Sequence, residues 1–113
     1  MSNETTETKT AQVVALELNR FTTDGAERYG DLVYLFPADK ARPSIWAAHY
    51  KQAINAALDE VEFDPNLDYV LLVGQIYPLS VLINVLTLRY RMFKVLVFNS
   101  TTREYQTEIF SND

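Results

Sequence analysis

The distribution of apolar and polar residues between positions 68 and 91 predicts a buried strand followed by a buried helix. Residues 69–73 are apolar at every position, and a strand without a polar position must be covered on both faces. Gly74 ends this run. Pro78 then suits the first turn of a helix, where its missing N–H group costs nothing.

The predicted helix continues to Arg91 and is apolar around most of its circumference. Its clearly polar positions before Arg89 are Ser80, Asn84 and Thr87. A helix of this kind is either deeply buried or covered by a partner, and this one is too short and too often interrupted to span a bilayer. Four of its apolar side chains form a candidate interface with a partner: Leu79, Leu82, Ile83 and Leu86.

Four further segments are predicted to be strands. The runs at 32–36 and 93–98 are apolar on both faces, which indicates buried strands. Residues 12–18 also favour a strand, with a helix as the competing interpretation. Residues 103–110 alternate between apolar and polar, which predicts an edge strand antiparallel to its neighbour with one face in water.

A first helix is predicted between the second and third strands. Apolar residues repeat at helical spacing from Trp46 to Val61, and Pro43-Ser44 is a plausible start. Residues 1–10 carry no apolar anchor beyond Met1 and are expected to form a flexible tail. Residues 11–113 then form a single domain.

The predicted order is strand, strand, helix, strand, helix, strand, strand. Each strand–helix–strand unit implies a right-handed crossover between parallel strands, so the strands at 32–36, 69–73 and 93–98 should form a parallel centre. The first and last strands are expected to pair antiparallel at the two edges. The predicted fold class is α/β, with a compact Rossmann-like or flavodoxin-like sheet in two or three layers.

Two helices must cover a sheet whose central strands are apolar on both faces. If the chain moved steadily across the sheet, both helices would lie on one face and leave the other bare. Either the strand order reverses and the helices cover opposite faces, as in flavodoxin-like sheets, or both helices share a face and a second subunit covers the other. We favour the reversal, and a homodimer through the apolar helix stays open.

Composition and charge limit the class of protein. The 113 residues suffice for one domain, and the acidic, polar N-terminus is unlike a secretory signal. The chain has no cysteine, which excludes disulfides, thiolate catalysis and cysteine-ligated metals. A net charge of −5 disfavours general nucleic-acid binding, which needs a positive field. We expect a cytoplasmic domain without membrane contact.

Polar side chains follow each of the three predicted parallel strands. Ligands bind at the carboxyl ends of strands in open parallel sheets, and with the free N–H groups at the start of the second helix these side chains could hold a phosphate or a nucleotide. The alternative is that polar residues gather in loops because loops contact water. The chain has no glycine-rich phosphate loop. The candidate ligand-binding residues are Lys40, Arg42, Ser44, Gly74, Gln75, Tyr77, Asn99 and Arg103.

No arrangement typical of an enzyme is visible in the sequence. His49 is the only histidine, so no second histidine can complete a metal site with it. No serine lies in the context of a nucleophile elbow. We therefore predict a protein without enzymatic activity, cofactor or metal.

Charged residues are concentrated in two segments, one before the third strand and one at the end of the second helix. The acids between positions 59 and 68 are interpreted as a solvated edge, although acids near a helix C-terminus also hint at a cationic partner. Arg89, Arg91 and Lys94 lie near the end of the second helix, where positive charge complements the helix dipole. Neither group requires a ligand.

Three strand motifs resemble those of a group of small tailed-phage proteins. They are residues 29–37 (YGDLVYLFP), 68–74 (DYVLLVG) and 94–98 (KVLVF), with Tyr105 beyond the last. The resemblance covers about residues 29–109, and this chain differs by its bulkier second helix. It implies a phage origin and a role in the infected host cell or the virion. The group has no established activity, so no functional residues are carried over.

Two hypotheses for function follow. The first is a non-enzymatic interaction module, phage-encoded, that binds a protein partner or a second copy of itself. The second is a small-ligand or nucleotide-binding domain that uses the anion site at the carboxyl ends of the strands. An aspartate at Leu82 or Leu86 would disrupt a partner surface on the first hypothesis, whereas it would unfold the protein if the helix is simply core.

Overall fold

The computed structural model describes residues 10–17, 25–37, 44 and 48–111. The predicted tail, apart from Thr10, and the predicted start of the first helix at Pro43 and Trp46 lie outside them. In chain order the elements are β1 (Gln12–Glu17), a 3₁₀ helix (Ala26–Tyr29), β2 (Asp31–Phe36), α1 (Tyr50–Glu60), β3 (Tyr69–Leu71), α2 (Ile76–Arg89), β4 (Met92–Asn99) and β5 (Glu104–Ser111).

The strands form one five-stranded mixed sheet in the order β2-β1-β3-β4-β5. β1 to β4 are parallel to their neighbours, and β5 is antiparallel to β4. The α/β class is confirmed, and so is the antiparallel edge strand at the C-terminal end of the chain.

The prediction that the first strand pairs antiparallel at an edge is wrong. β1 lies inside the sheet, parallel to β2 on one side and to β3 on the other. Its four central residues, Val13 to Leu16, are buried, and only the terminal residues Gln12 and Glu17 are polar. An uninterrupted apolar centre is typical of a strand that is covered on both faces. The pattern that indicated the other internal strands therefore also indicated an internal position for β1.

Both α-helices pack on one face of the sheet, here called the helix face, which corrects the arrangement favoured from the sequence. The chain steps from β2 to β3 and from β3 to β4 in the same direction, and right-handed crossovers in one direction lie on one face. The order does reverse, but at the step from β1 to β2, where the structure has the 3₁₀ helix. One hydrophobic cluster joins the sheet to both helices and includes Val14, Val70, Val95, Ile54, Leu58, Leu82 and Leu86.

The opposite face of the sheet is packed in part by the same chain. A second cluster there includes Ala26, Tyr29, Val13, Ala15, Leu71 and Leu96. A doubly wound sheet carries helices on both faces, whereas the α-helices described here lie on one. The Rossmann-like or flavodoxin-like architecture is therefore not confirmed, and the fold is a compact α/β domain with a mixed sheet and two α-helices.

Candidate functional site

The carboxyl ends of β3 and β4 bring two groups of predicted ligand-binding residues to one edge of the sheet. Gly74, Gln75 and Tyr77 follow β3, and Asn99 and Arg103 end or follow β4, its parallel neighbour. Adjacent parallel strands end side by side, so these two groups lie at the same end of the sheet, and a shared ligand site there stays a prediction.

Most of the third predicted group lies outside the described residues. Lys40 and Arg42 lie outside the described residues, and Ser44 is an exposed residue with undescribed neighbours on both sides. Of the three cations assigned to the rim, the described part of the chain therefore contains Arg103 alone.

α2 begins at this edge of the sheet. Gly74 has a left-handed backbone conformation (φ 124°), which turns the chain from β3 into the helix. Gln75 is the N-cap residue and makes no side-chain cap hydrogen bond, so the first N–H groups of the helix keep their partial positive charge. Ile76 and Tyr77 beside them are exposed apolar side chains, at 84% and 46%.

Asn99 stabilises the hairpin turn between β4 and β5. Its Oδ1 accepts hydrogen bonds from the N–H groups of Thr101 at 2.9 Å and Thr102 at 3.2 Å, and its Nδ2 donates to Gln106. Its carbonyl accepts from the Arg103 N–H at 2.7 Å. Because the Asn99 amide group uses its hydrogen bonds to stabilise the hairpin, we assign this predicted ligand-binding residue a structural role.

A pocket of about 350 Å³ lies at the turn end of β4 and β5. It is large enough for a small molecule, but the one charged side chain among its described lining residues is an acid, Glu108. A carboxylate repels an anion, so this pocket does not suit the phosphate predicted for the rim. Its lining residues are Val97, Phe98, Asn99, Ser100, Gln106 and Glu108.

The four candidate interface residues of α2 face mainly inward. Leu82 and Leu86 are fully buried in the core cluster, and Leu79 and Ile83 are half-buried. Leu88, in contrast, is 72% exposed. An interface on this helix would therefore have to use its outer surface, and a role for the four predicted residues stays a prediction.

β5 is the last strand at one side of the sheet, and among the described residues its strand partner is β4. The strand has eight residues, and its pairing with β4 is continuous from Glu104 to Ser111, without a bulge. It contains no proline and no lysine, the residues with which proteins commonly block pairing at an exposed edge. Ile109 is 62% exposed on it. The alternating sequence predicted this edge strand, and the structure adds that its pairing with β4 has no bulge.

Charged residues near α2 mostly bind other parts of the same chain. The Arg89 guanidinium donates to Asp59 Oδ1 at 2.7 Å, which places a cation in the last turn of α2 as predicted. Lys94 lies in β4 instead, with its ammonium group 4.3 Å from the centre of the Tyr69 ring. Asp68, included in the predicted solvated acidic edge, is buried, which corrects that interpretation for this residue.

The described residues contain no cluster of side chains that could hold a metal ion. His49 is exposed at the N-cap of α1 and makes no side-chain cap hydrogen bond. Across the described ranges, no three acidic or histidine side chains are grouped so that they could hold a metal ion. In the same part of the chain, no helix is long and apolar enough to cross a membrane.

Comparison with protein families places the chain. The model of the Phage Pam3 gp32-like protein family matches residues 4–111, which is almost the whole chain. The chain belongs to this family. The phage origin inferred from the strand motifs is thereby confirmed. No curated protein and no solved structure matches the chain.

The Phage Pam3 gp32-like match includes the whole sheet and both α-helices. Every surface described above therefore belongs to the family's own domain. The family description names a phage protein and no molecular activity, so the function has to be argued from these surfaces.

Proposed function

We propose that this phage protein is a non-enzymatic interaction module that associates through the exposed edge of β5, with a second copy of itself as the partner. The observation that carries the proposal is the long edge strand, which contains no proline, no lysine and no bulge. An edge strand of this kind offers a row of backbone donors and acceptors to any strand that can lie beside it.

The side chains of β5 also favour pairing. Ile109 is an exposed apolar residue on a strand whose neighbours Thr107 and Glu108 are polar and exposed. Pairing with a second strand would remove part of the Ile109 side chain from water, which is favourable. The strand itself is held firmly, because Phe110 packs against Phe93 with ring centres 5.3 Å apart.

A symmetric pair of β5 strands has a preferred register. A two-fold axis perpendicular to the sheet keeps equivalent faces together, so the axis must pass through a single residue position. With the axis at Gln106, Glu104 would oppose Glu108, and with the axis at Glu108 that residue would oppose its own copy. Like charges directly opposite one another destabilise a strand pair.

With the axis at Thr107, these repulsions between directly opposed residues disappear. Tyr105 then faces Ile109 of the second copy, and Gln106 faces Glu108, which its amide can bond. Thr107 faces Thr107, a pairing in which the hydroxyl groups can hydrogen-bond. This self-complementary register is the reason for proposing a second copy as the partner.

The first test is the mass of the protein in solution over a concentration series, by native mass spectrometry and sedimentation velocity. We expect a dimer that dissociates on dilution, because strand pairing alone gives a small interface. Ile109→Lys should yield a monomer, since a lysine on an edge blocks pairing. The matched control is Leu88→Lys on the exposed side of α2, which should leave the dimer intact. A wild-type monomer at every concentration, or equal effects of the two variants, would contradict the proposal.

A second test determines the register of the proposed pair of β5 strands. The chain has no cysteine, so a single Thr107→Cys substitution introduces the sole thiol. At the two-fold axis the two thiols would lie within disulfide reach, and mild oxidation should produce a covalent dimer. Glu104→Cys, which this register places opposite Phe110, should not. Equal cross-linking of both variants would rule out the Thr107-centred pair.

The small-ligand alternative rests on fewer described groups. Its support at the predicted rim is the uncapped start of α2 together with Arg103. Native mass spectrometry of gently purified protein distinguishes the two functions, because a bound nucleotide adds a few hundred daltons to a monomer and a second copy doubles the mass.

A further inference from the structure

A second, smaller cleft lies between the 3₁₀ helix and the start of β5. Its volume is about 50 Å³. Two of its lining residues are arginines, Arg28 from the 3₁₀ helix and Arg103 from the hairpin, and one is an acid, Glu104. We call it the arginine cleft; the other lining residues are Gly25, Tyr29 and Tyr105.

The walls of the arginine cleft are held by contacts with the core. Tyr29 donates a hydrogen bond from its hydroxyl group to the Tyr105 carbonyl at 3.2 Å, which joins the two walls directly. The Tyr29 ring packs edge-on against Tyr69 with centres 5.4 Å apart. Ala26 and Tyr105 are buried in the cluster on the opposite face of the sheet. A site with fixed walls loses little freedom when a ligand binds.

Within the described part of the chain, the guanidinium groups of the two arginines keep their hydrogen-bonding capacity. Neither the Arg28 nor the Arg103 guanidinium donates a hydrogen bond or forms an ion pair with any residue in the described part of the chain. Arg89, by comparison, binds Asp59 and Asn55. Among the described lining residues, two guanidinium groups beside one carboxylate give the arginine cleft a net positive charge, on a chain whose net charge is −5.

The shape and chemistry of the arginine cleft fit a single oxyanion. A cleft of about 50 Å³ admits one phosphate-sized group and excludes a nucleobase. The planar guanidinium fork matches the oxygens of a phosphate, and it binds them with charge-assisted hydrogen bonds. We propose that the arginine cleft binds the phosphate group of a small phosphomonoester between Arg28 and Arg103. The observations behind this site are separate from those behind the proposed strand pairing, and the site shares Arg103 with the predicted rim.

The test is isothermal titration calorimetry of the purified protein at low salt with two probes, glycerol phosphate and inorganic phosphate. Tighter binding of glycerol phosphate identifies a phosphomonoester as the ligand. Tighter or equal binding of inorganic phosphate would overturn that part of the proposal and leave a site for the free ion. Absence of binding by both probes at millimolar concentration would overturn the site.

Four variants locate the binding. Arg28→Gln and Arg103→Gln should each weaken it about tenfold or more, because each removes a charge-assisted pair. Lys51→Gln removes the same charge from an exposed position on α1 and should change it less than about twofold. Glu104→Gln removes the competing carboxylate and should tighten binding, a gain that misfolding cannot imitate. Equal losses in the three cation variants, or no gain with Glu104→Gln, would overturn the assignment.

Discussion

Gln12 and Asp68 are joined by two hydrogen bonds that tie the start of β1 to the start of β3. The Gln12 backbone N–H donates to Asp68 Oδ1 at 2.9 Å, and its side-chain Nε2 donates to Oδ2 at 3.1 Å. The same carboxylate accepts from the Asp64 N–H at 2.8 Å. Asp68 is 0% exposed. Its carboxylate has lost its hydrogen bonds to water, and these three donors replace them.

Replacing this carboxylate should destabilise the domain. Asp68→Ala leaves three donors without their acceptor in a partly buried place, which we expect to lower the free energy of unfolding by about 3 kcal/mol. Urea denaturation followed by circular dichroism measures the change. The control is Asp31→Ala at the exposed start of β2, expected to stay within about 0.5 kcal/mol. Similar losses at the two positions would show that the hydrogen bonds of Asp68 contribute little.

Gly30 lies where β2 approaches β1 too closely for a side chain. A Cβ atom at this position would lie 2.4 Å from the Ala11 carbonyl oxygen, which accepts the Asp31 N–H at 3.0 Å. Because backbone atoms must move to admit it, Gly30→Ala should cost about 2 kcal/mol or more, measured from the urea midpoint.

Gly25→Ala is the control for Gly30→Ala, because it introduces backbone strain without a steric clash. Gly25 also has a positive φ, 95°, but its added Cβ would meet only Tyr105 Cδ2 at 3.9 Å. The expected loss is the conformational cost alone, about 1 kcal/mol. A larger loss at Gly25 than at Gly30 would contradict the clash.

The elements were predictable from the sequence because burial leaves a direct pattern. The unbroken apolar run at 69–73 indicated an internal strand, and the alternation at 103–110 indicated an edge strand, since each reports how many faces meet water. The position of β1 could have been predicted in the same way from Val13 to Leu16. The prediction was wrong because the first strand was assigned to an antiparallel edge in spite of its apolar centre.

The arrangement of the surfaces was less predictable, because it depends on contacts between distant segments. Arg28 belongs to a short 3₁₀ helix without periodicity, and only the folded chain brings it beside Arg103. The buried state of Asp68 likewise depends on Gln12, 56 residues away. Residues 68–91 also left open whether Leu82 is core or interface, since an apolar helix satisfies both.

Substitution of Leu82 tests whether this residue belongs to the core or to an interface. Its side chain is fully buried between α2 and the sheet, and Leu82→Ala should lower the free energy of unfolding by about 3 kcal/mol through lost burial and a residual cavity. Leu88→Ala, on the exposed side of the same helix, is the control and should change it by less than about 0.5 kcal/mol. If the protein kept its stability but changed its oligomeric state, Leu82 would belong to an interface instead.

Tyr90 should make stability depend on pH in the alkaline range. Burial raises the pKa of its phenol above the usual 10.0, Arg89 partly opposes this, and the negative charge of Asp59 adds to it. Since the unfolded state ionises first, the stabilising contribution is fully present below about pH 10 and is lost as the pH rises from there through the folded-state pKa. Urea midpoints at about pH 8 and about pH 11 should therefore differ less in Tyr90→Phe than in the wild type. Tyr77→Phe, at an exposed position, should retain the wild-type difference, and an unchanged pH dependence in Tyr90→Phe would contradict this origin.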